Sequence, residues 1–388
     1  METLLSSLKL GGLTLRNRLA VAPMTRVSAT PEGIPTSRMS DYYTAFAEGG
    51  FGLVVTEGLY TDKAFSQGYL FQPGLTEACQ RNGWRPIVER VHDAGSRMIA
   101  QLMHAGALSQ GNAYSAETRG PSAIRPKGQQ MAFYRGAGPY RVPTAMSSEE
   151  IAQAVNGFAH AAFVARDAGF DGVEVHGANG YLLDQFLTEG VNLRDDRYGG
   201  SVEGRFRLIV EVVEAVRNSV GSDFIVGVRI SQGKVNDFTH KWSGREDEAA
   251  AIFGSLGQLP IDYVHTTDFE AWRPAFGEGP SLAALAKKHL PVPVLANGSL
   301  HDPKQAAGLL RRGEADFVSL GRGALAHPDW PRRVAKGAPL ETFNPGMISP
   351  IADLANAERH RTGTVAVAGQ SEASHRLSQN AAEPNSLL

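Results

Sequence analysis

The sequence predicts an α/β protein built as a single (β/α)8 barrel, and three observations carry that prediction. Eight short apolar, β-branched runs recur along the chain, at residues 19–24, 53–57, 98–103, 172–176, 224–230, 261–265, 292–296 and 316–320. Each is followed by a longer segment of helical character, and eight such units with right-handed crossovers fit a closed barrel of about 250 residues or more. Glycine accounts for 43 of the 388 residues, above the usual ~7%, as many tight strand-to-helix turns would require.

Ahead of the repeat, Leu8-Lys9-Leu10-Gly11-Gly12-Leu13-Thr14-Leu15 alternates around a Gly-Gly pair, which predicts a hairpin plugging the bottom of the barrel. The runs themselves are almost continuously hydrophobic, as in Phe224-Ile225-Val226-Gly227-Val228-Arg229-Ile230. That suits parallel strands buried on both faces. Residues 107–146 form a long excursion after strand three, rich in proline and glycine. Compact domains keep such segments mainly for function. Ser147 and Glu150 have capping-box spacing before a helical stretch at 151–168. Helical spacing recurs at 203–216 and 246–256, and Asp302-Pro303 pairs an N-cap with a first-turn proline ahead of 305–312.

The barrel domain is expected to span 1–343. From Asn344 onward no aromatic residue occurs and Ala, Ser, Asn and Gln dominate. A C-terminal tail at 344–388 is therefore expected, disordered over its last ~25 residues. The alternative architecture is an open doubly wound sheet, since Gly321-Arg322-Gly323-Ala324-Leu325-Ala326 matches a dinucleotide fingerprint. It follows the last strand, however, and Glu341, at the right distance for the acidic partner, sits in a segment that reads as a loop.

Composition narrows the function. With 38 Lys+Arg against 40 Asp+Glu, the net charge of −2 gives no general attraction to nucleic acid or an anionic membrane. The single cysteine, Cys79, excludes an intramolecular disulfide, a Cys-ligated zinc and an Fe–S cluster. No apolar run approaches the ~20 residues that span a bilayer, and the N-terminus lacks a signal-peptide pattern, so a soluble cytoplasmic protein is expected.

In such a barrel the chemistry collects at the C-terminal ends of the strands. Strands seven and eight end in Asn297-Gly298-Ser299 and Gly321-Arg322-Gly323. Glycines that let backbone N–H groups approach an anion, with an arginine fork beside them, suit a phosphate; tight turns alone would also use the glycines. His176 and Asn179 leave strand four three residues apart. If that turn is helical they share a face and can donate to one oxygen, with Tyr181 adding a phenol. Arg229 must meet an internal carboxylate or an anionic or electron-accepting ligand. Gln101 suits either a ligand's amide edge or a polar core contact. His104, His265 and Asp268 could imitate metal ligands, and Glu57 with Asp268 a carboxylate pair, but barrels tolerate such rim residues and no metal is expected.

Several motifs resemble the old yellow enzyme family of FMN-dependent oxidoreductases. They are Leu15-Arg16-Asn17-Arg18, Ala22-Pro23-Met24-Thr25-Arg26 and Gln101-Leu102-Met103-His104-Ala105-Gly106. The run from His176 to Leu187, the run from Asn192 to Ser201, Val226 to Ser231, and Gly321-Arg322 continue the match in order. The resemblance covers residues 8 to 343 and implies an FMN-binding barrel in which NADPH or NADH drives reduction of electron-poor alkenes. By motif, Pro23, Met24, Thr25, Gly58, Gln101 and Arg229 would surround the flavin ring, and Asn297, Gly298, Gly321 and Arg322 would hold its phosphate end. His176 and Asn179 would clamp the substrate oxygen while hydride goes to the β-carbon and Tyr181 protonates the α-carbon. Tyr69 matches a substrate-side tyrosine, and Trp242 and Trp272 are taken as further substrate-lining residues.

The chain departs from the family in places. Ala107 stands where many relatives have arginine, residues 233–244 match no placed pattern, and the aromatic C-terminal stretch is missing beyond Phe343. The expected substrates are enones, enals, maleimides or nitroalkenes, with no nucleic-acid or membrane partner and a homodimer left open. Alternatives are a nitro- or nitrate-ester reductase on the same site, or a flavin-free phosphate-binding barrel lyase or isomerase.

Overall fold

Apolar runs too short to cross a domain as helices satisfy their backbone groups by pairing with one another, and here all eight do so in one closed sheet. A computed structural model describes residues 2–361 of the chain. The barrel strands are β1 Leu19–Val21, β2 Leu53–Val55, β3 Arg97–Met103, β4 Gly172–Asn179, β5 Ile225–Lys234, β6 Tyr263–Thr267, β7 Val294–Asn297 and β8 Phe317–Leu320. Each pairs in parallel with its successor, and β8 returns to β1 through Val318↔Leu19 and Leu320↔Val21. Every predicted run contains a strand. The open doubly wound alternative is excluded by this closure, and the Gly321 fingerprint proves to be the start of a short helix, Arg322–Ala326, on the final turn.

Helices wrap the outside: α1 Ser37–Gly49, α2 Ala78–Asp93, α3 Ser148–Asp167, α4 Val202–Val220, α5 Arg245–Leu256, α6 Leu282–His289, α7 Pro303–Arg311 and α8 Trp330–Lys336. The capping box forms as predicted at α3. Ser147 Oγ accepts from the Glu150 N–H, and Glu150 answers at the Ser147 N–H. Residues Ile151, Ala154, Phe158, Ala161, Ala162 and Ala165 then form the buried stripe, at the spacing of one helical face. Asp302 caps α7 with Pro303 in its first turn.

The barrel's interior is layered. At the N-terminal end the predicted hairpin forms, Leu8–Leu10 against Leu13–Leu15, and its Leu10 and Leu15 pack among Leu53, Ile99, Ile225, Leu295 and Phe317. Each buried leucine of this plug contributes about 1.5–3 kcal/mol. Above it the interior turns polar, around a fully buried Glu174 on β4. The catalytic end lies above that.

Residues 344–361, which the sequence reading assigned to the tail, pack against the barrel instead. A 3-10 turn at Pro345–Ile348 and the helix α9, Leu354–Arg361, bury Met347, Ile348, Ala352 and Leu354. The reason is a polar clasp. The buried Arg26 guanidinium donates to the carbonyl of Asp353 at 3.2 Å, the Leu354 N–H donates to Ser28 Oγ, and Asp353 pairs with Arg135 of the excursion. Residues 362–388, the remainder of the expected tail, lie outside the described residues. Among the described residues no helix is long and apolar enough to cross a membrane.

Candidate active site

The polar layer inside the barrel is one connected network. Glu174 accepts hydrogen bonds from Gln101 Nε2 and the Tyr263 hydroxyl, both at 2.8 Å, and contacts His265 Nδ1 at 2.8 Å. The other ring nitrogen of His265 reaches Ser319 Oγ. Burial works against the Glu174 charge, but His265, Arg229 and Gln101 hold its carboxyl down at about 2. Sequence reading missed Glu174, whose only signal is a lone carboxylate inside an apolar run. His265 joins this network, and among the described residues no cluster of His, Cys, Asp or Glu is placed to hold a metal.

Arg229 rises from β5 above this layer with no carboxylate within ion-pair distance among the described residues, although Glu174 supports its charge electrostatically. Its Nη2 donates to Asn297 Oδ1 at 3.0 Å, and its buried Nε has no partner among the described residues. Burial lowers the guanidinium to about 10, so it is still a cation at neutral pH. Asn297 also accepts from Thr267 Oγ1 and donates to the Ser319 carbonyl. That asparagine joins two cavities.

The first cavity holds about 550 Å³ of empty space open at one end. It is lined by Pro23, Thr25, Gly58, Gln101, Met103, His176, Asn179, Tyr181 and Arg229. Met131, Phe133, Tyr134, Val235 and Phe238 complete its wall. The second, about 320 Å³, is formed by Asn297, Gly298, Ser299, Ser319, Gly321, Arg322 and their neighbours. Gly298 has φ +140°, and a Cβ there would lie 2.0 Å from the Asp268 carbonyl oxygen. Only glycine can make that turn. Arg322 Nη2 lies 3.3 Å from Ser299 Oγ beside it.

The turn leaving strand four is not helical at His176 and Asn179, so they do not share a helical face. Both are on β4, where residues three apart would point to opposite sides of the sheet. Two features turn Asn179 back. It adopts a left-handed conformation, φ 63°, tolerated by asparagine better than by most residues. The register against β5 also shifts, so that Ile230 pairs with Gly177 but Lys234 with Asn179. Ser231 Oγ accepts from the Asn179 N–H, and the Val235 N–H donates to its carbonyl. Buried His176 Nδ1 and Asn179 Oδ1 have no partner. Burial, then the nearby Arg229 charge, push the His176 imidazole well below its usual value, so it is neutral.

Tyr181 stacks edge-on to His176 at 5.0 Å, and its hydroxyl lies 2.5 Å from that of Tyr69. Tyr69 stands one shell behind the cavity wall. Met24 is buried in the core and lines neither cavity. Trp242 and Trp272 are likewise absent from the cavity walls. Trp242 is held by its backbone N–H on Gln232 Oε1 and packs its ring on Phe253 of α5, and Trp272 packs against the core from outside. The aromatic wall comes instead from Phe133 and Tyr134 of the excursion and Phe238 of the 233–244 loop. An aromatic pair in an otherwise Gly- and Pro-rich excursion was the available signal.

A buried cation, a hydrogen-bonding trio and a glycine-built turn meet at the C-terminal mouth of a parallel barrel, an arrangement that suits a flavin oxidoreductase. Comparison with known proteins agrees. The family model described as the NADH:flavin oxidoreductase / NADH oxidase family matches residues 3–341. A "probable flavin mononucleotide-dependent alkene reductase" of Leishmania infantum is 36% identical over 353 residues, 89% of this chain and 93% of its own. The structure of an old yellow enzyme homologue from Zymomonas mobilis superposes with a TM-score of 0.80 at 33% identity, covering 88% of this chain and 94% of that one. Morphinone reductase in complex with tetrahydroNAD gives 0.79 at 32% identity, covering 89% and 93%. The chain belongs to this NADH:flavin oxidoreductase family, that of the old yellow enzymes. A flavin-free lyase or isomerase is thereby set aside.

Proposed function

We propose that this protein is an FMN-dependent ene-reductase that uses NADPH or NADH to reduce activated alkenes. The observation that carries the reading is the convergence of His176, Asn179 and Tyr181 on a cavity floored by Arg229, with buried polar atoms on three of these residues left unpartnered.

The residues present fit FMN. Pro23, Thr25, Gly58, Gln101 and Arg229 would hold the ring, and Gly298, Gly321 and Arg322 the phosphate, with Asn297 between them. Bound FMN supplies the hydride, after reduction by the nicotinamide. Arg229 would hold a fixed positive charge beside the ring and favour its reduced, negatively charged form. Neutral His176 and the Asn179 amide donate to the substrate's carbonyl or nitro oxygen, and draw charge onto it as an enolate or nitronate develops. Each such donor is typically worth ~3–4 kcal/mol in the transition state. Tyr181 gives its proton to the α-carbon, and Met131, Phe133 and Phe238 exclude water from the reacting face.

The test is the visible spectrum of the protein, recorded anaerobically with FMN, then NAD(P)H, then 2-cyclohexenone. Bleaching by the nicotinamide and recolouring by the enone are expected. Bleaching without recolouring by any electron-poor alkene would overturn the ene-reductase reading while keeping the flavoprotein.

A further inference from the structure

We propose that the buried ion pair between Lys234 and Asp184 is the device that aims Asn179 and Tyr181 into the active cavity. The inference rests on the roles given to those two residues above. Lys234 ends β5 just past the register shift, directly opposite Asn179. Its side chain is 5% exposed and its partner Asp184 is 0% exposed. The second carboxylate oxygen of Asp184 accepts the backbone N–H of Gly180 at 2.6 Å.

Gly180 is the residue between Asn179 and Tyr181, so the pair grips the chain at the point where both side chains are oriented. That point is strained: Asn179 and Gly180 have φ of 63° and 85° in succession, a left-handed pair that an asparagine adopts at a cost. Four hydrogen bonds hold it. Two come from the β5 side, through Ser231 Oγ and the Val235 N–H; the other two run from the Gly180 N–H to Asp184 and from Gln185 Nε2 to the Gly180 carbonyl.

Packing provides only part of the restraint: a Cβ at Gly180 would lie 3.2 Å from Leu108 Cδ1 and from Lys234 Cβ. Behind the turn lies a separate cavity with about 740 Å³ of empty space, part of it open to solvent, bounded by Leu108, Gly180, Gln185, Lys234, Asn236 and His240. On the side that faces this cavity the turn takes its position from its polar contacts. A buried ion pair is also a poor source of stability, because desolvation offsets its attraction, and fixing one conformation is a better account of it. The 233–244 loop thereby gains two functions. Val235 and Phe238 line the active cavity, while Lys234 fastens the catalytic turn from its other side.

The test uses FMN-loaded Lys234→Met, Lys234→Arg, Tyr181→Phe and the Lys234→Met/Tyr181→Phe double variant. Two quantities are read: hydrogen–deuterium exchange of the peptide spanning 177–187, and the rate at which 2-cyclohexenone reoxidises the reduced protein. In Lys234→Met, exchange in 177–187 should accelerate about tenfold or more, while peptides from α3 and α4 stay at the wild-type rate, the signature of local opening. Reoxidation should slow roughly 10- to 100-fold, the scale of a misplacement of about 1 Å. Lys234→Arg should restore most of both. The double variant should be slower than Tyr181→Phe by less than the loss Lys234→Met causes on its own, because Lys234 acts in part through Tyr181.

Unchanged exchange at 177–187, or faster exchange throughout the barrel, would overturn the proposal, as would fully additive losses in the double variant. If Lys234→Met does not fold, Lys234→Met/Asp184→Asn leaves no lone buried charge and is read in the same way. If Tyr181→Phe reoxidises at the wild-type rate, the proton-donor role of Tyr181 fails, and the exchange at 177–187 alone decides whether the pair holds the turn.

Discussion

The phenolic oxygens of Tyr69 and Tyr181 lie 2.5 Å apart, with both side chains buried. Either hydroxyl can donate in that bond. Burial pushes both phenols up, Tyr69 far above the usual range and Tyr181 only to about 12, because the Tyr69 hydrogen bond and the Arg229 charge work against burial there. Once Tyr181 has given up its proton, Tyr69 donates to the phenolate oxygen and stabilises it.

Tyr181→Phe should slow reoxidation by an enone by about 100-fold or more, the usual contribution of a general acid, with reduction by NAD(P)H nearly unchanged. Tyr69→Phe should slow the same step by roughly 3- to 10-fold, since losing a hydrogen bond to the phenolate makes Tyr181 a weaker acid. Stopped-flow measurement of the two half-reactions separates them. Equal slowing of both steps would show that the phenols serve structure.

His176 is neutral in this environment because burial and Arg229 disfavour its charged form. Reoxidation rates should therefore show no step near the ordinary histidine value when scanned over about pH 6 to 8. His176→Ala and Asn179→Ala should each lose roughly 100-fold or more in that rate, the scale of one oxyanion donor, while retaining FMN. A rate that follows a group titrating near 6.5 and vanishing in His176→Ala would show that the cation is the active form.

Arg229→Met should lower the midpoint potential of the bound flavin, because a cation that favours the reduced, negatively charged ring has been removed. The expected fall is on the order of 30–60 mV, where 30 mV of a two-electron couple is about 1.4 kcal/mol. FMN should also dissociate more readily on dilution. A potential that rises or stays constant in a variant that keeps its flavin contradicts the placement of Arg229 beside the ring.

Glu57, at the end of β2, accepts from the Arg26 N–H and the Tyr43 hydroxyl. Burial nevertheless raises its carboxyl from 4.5 to about 7, against the pull of those bonds and of Arg26. The folded state thus binds a proton that the unfolded chain has released, and the contribution of this group is lost as pH rises through that window. It amounts to on the order of 3 kcal/mol. Glu57→Gln should flatten the decline in unfolding free energy between about pH 5 and 8, measured by denaturant titration. An unaltered slope would place the origin of the decline elsewhere.

Much of the barrel was legible because its signals are local. An apolar run such as 224–230 has no other way to bury both faces, a Gly-Gly pair between alternating leucines turns only one way, and Ser147 with Glu150 caps a helix wherever it lies. The residue types at the strand ends were equally readable, so Arg229, His176, Asn179, Tyr181 and the Gly298–Arg322 turn were named by position. The packing of 344–361 was not legible because its anchor is not composition but Arg26, more than three hundred residues earlier in the chain.

What the sequence determined by itself is therefore the order of strands and helices, the plug at one end and the donors at the other. The tertiary structure alone decided how those donors converge. Asn179 faces His176 only because a left-handed residue and a shifted register reverse the alternation of a strand. Trp242 and Trp272 left the cavity to Phe133, Tyr134 and Phe238 because packing on α5 and the core held them elsewhere. Glu174 and the Lys234–Asp184 pair acquire their roles from neighbours distant in sequence. Periodicity reports which face of an element is buried, whereas the direction of a side chain at a strand's end depends on backbone angles and hydrogen bonds that exist only once the barrel has closed.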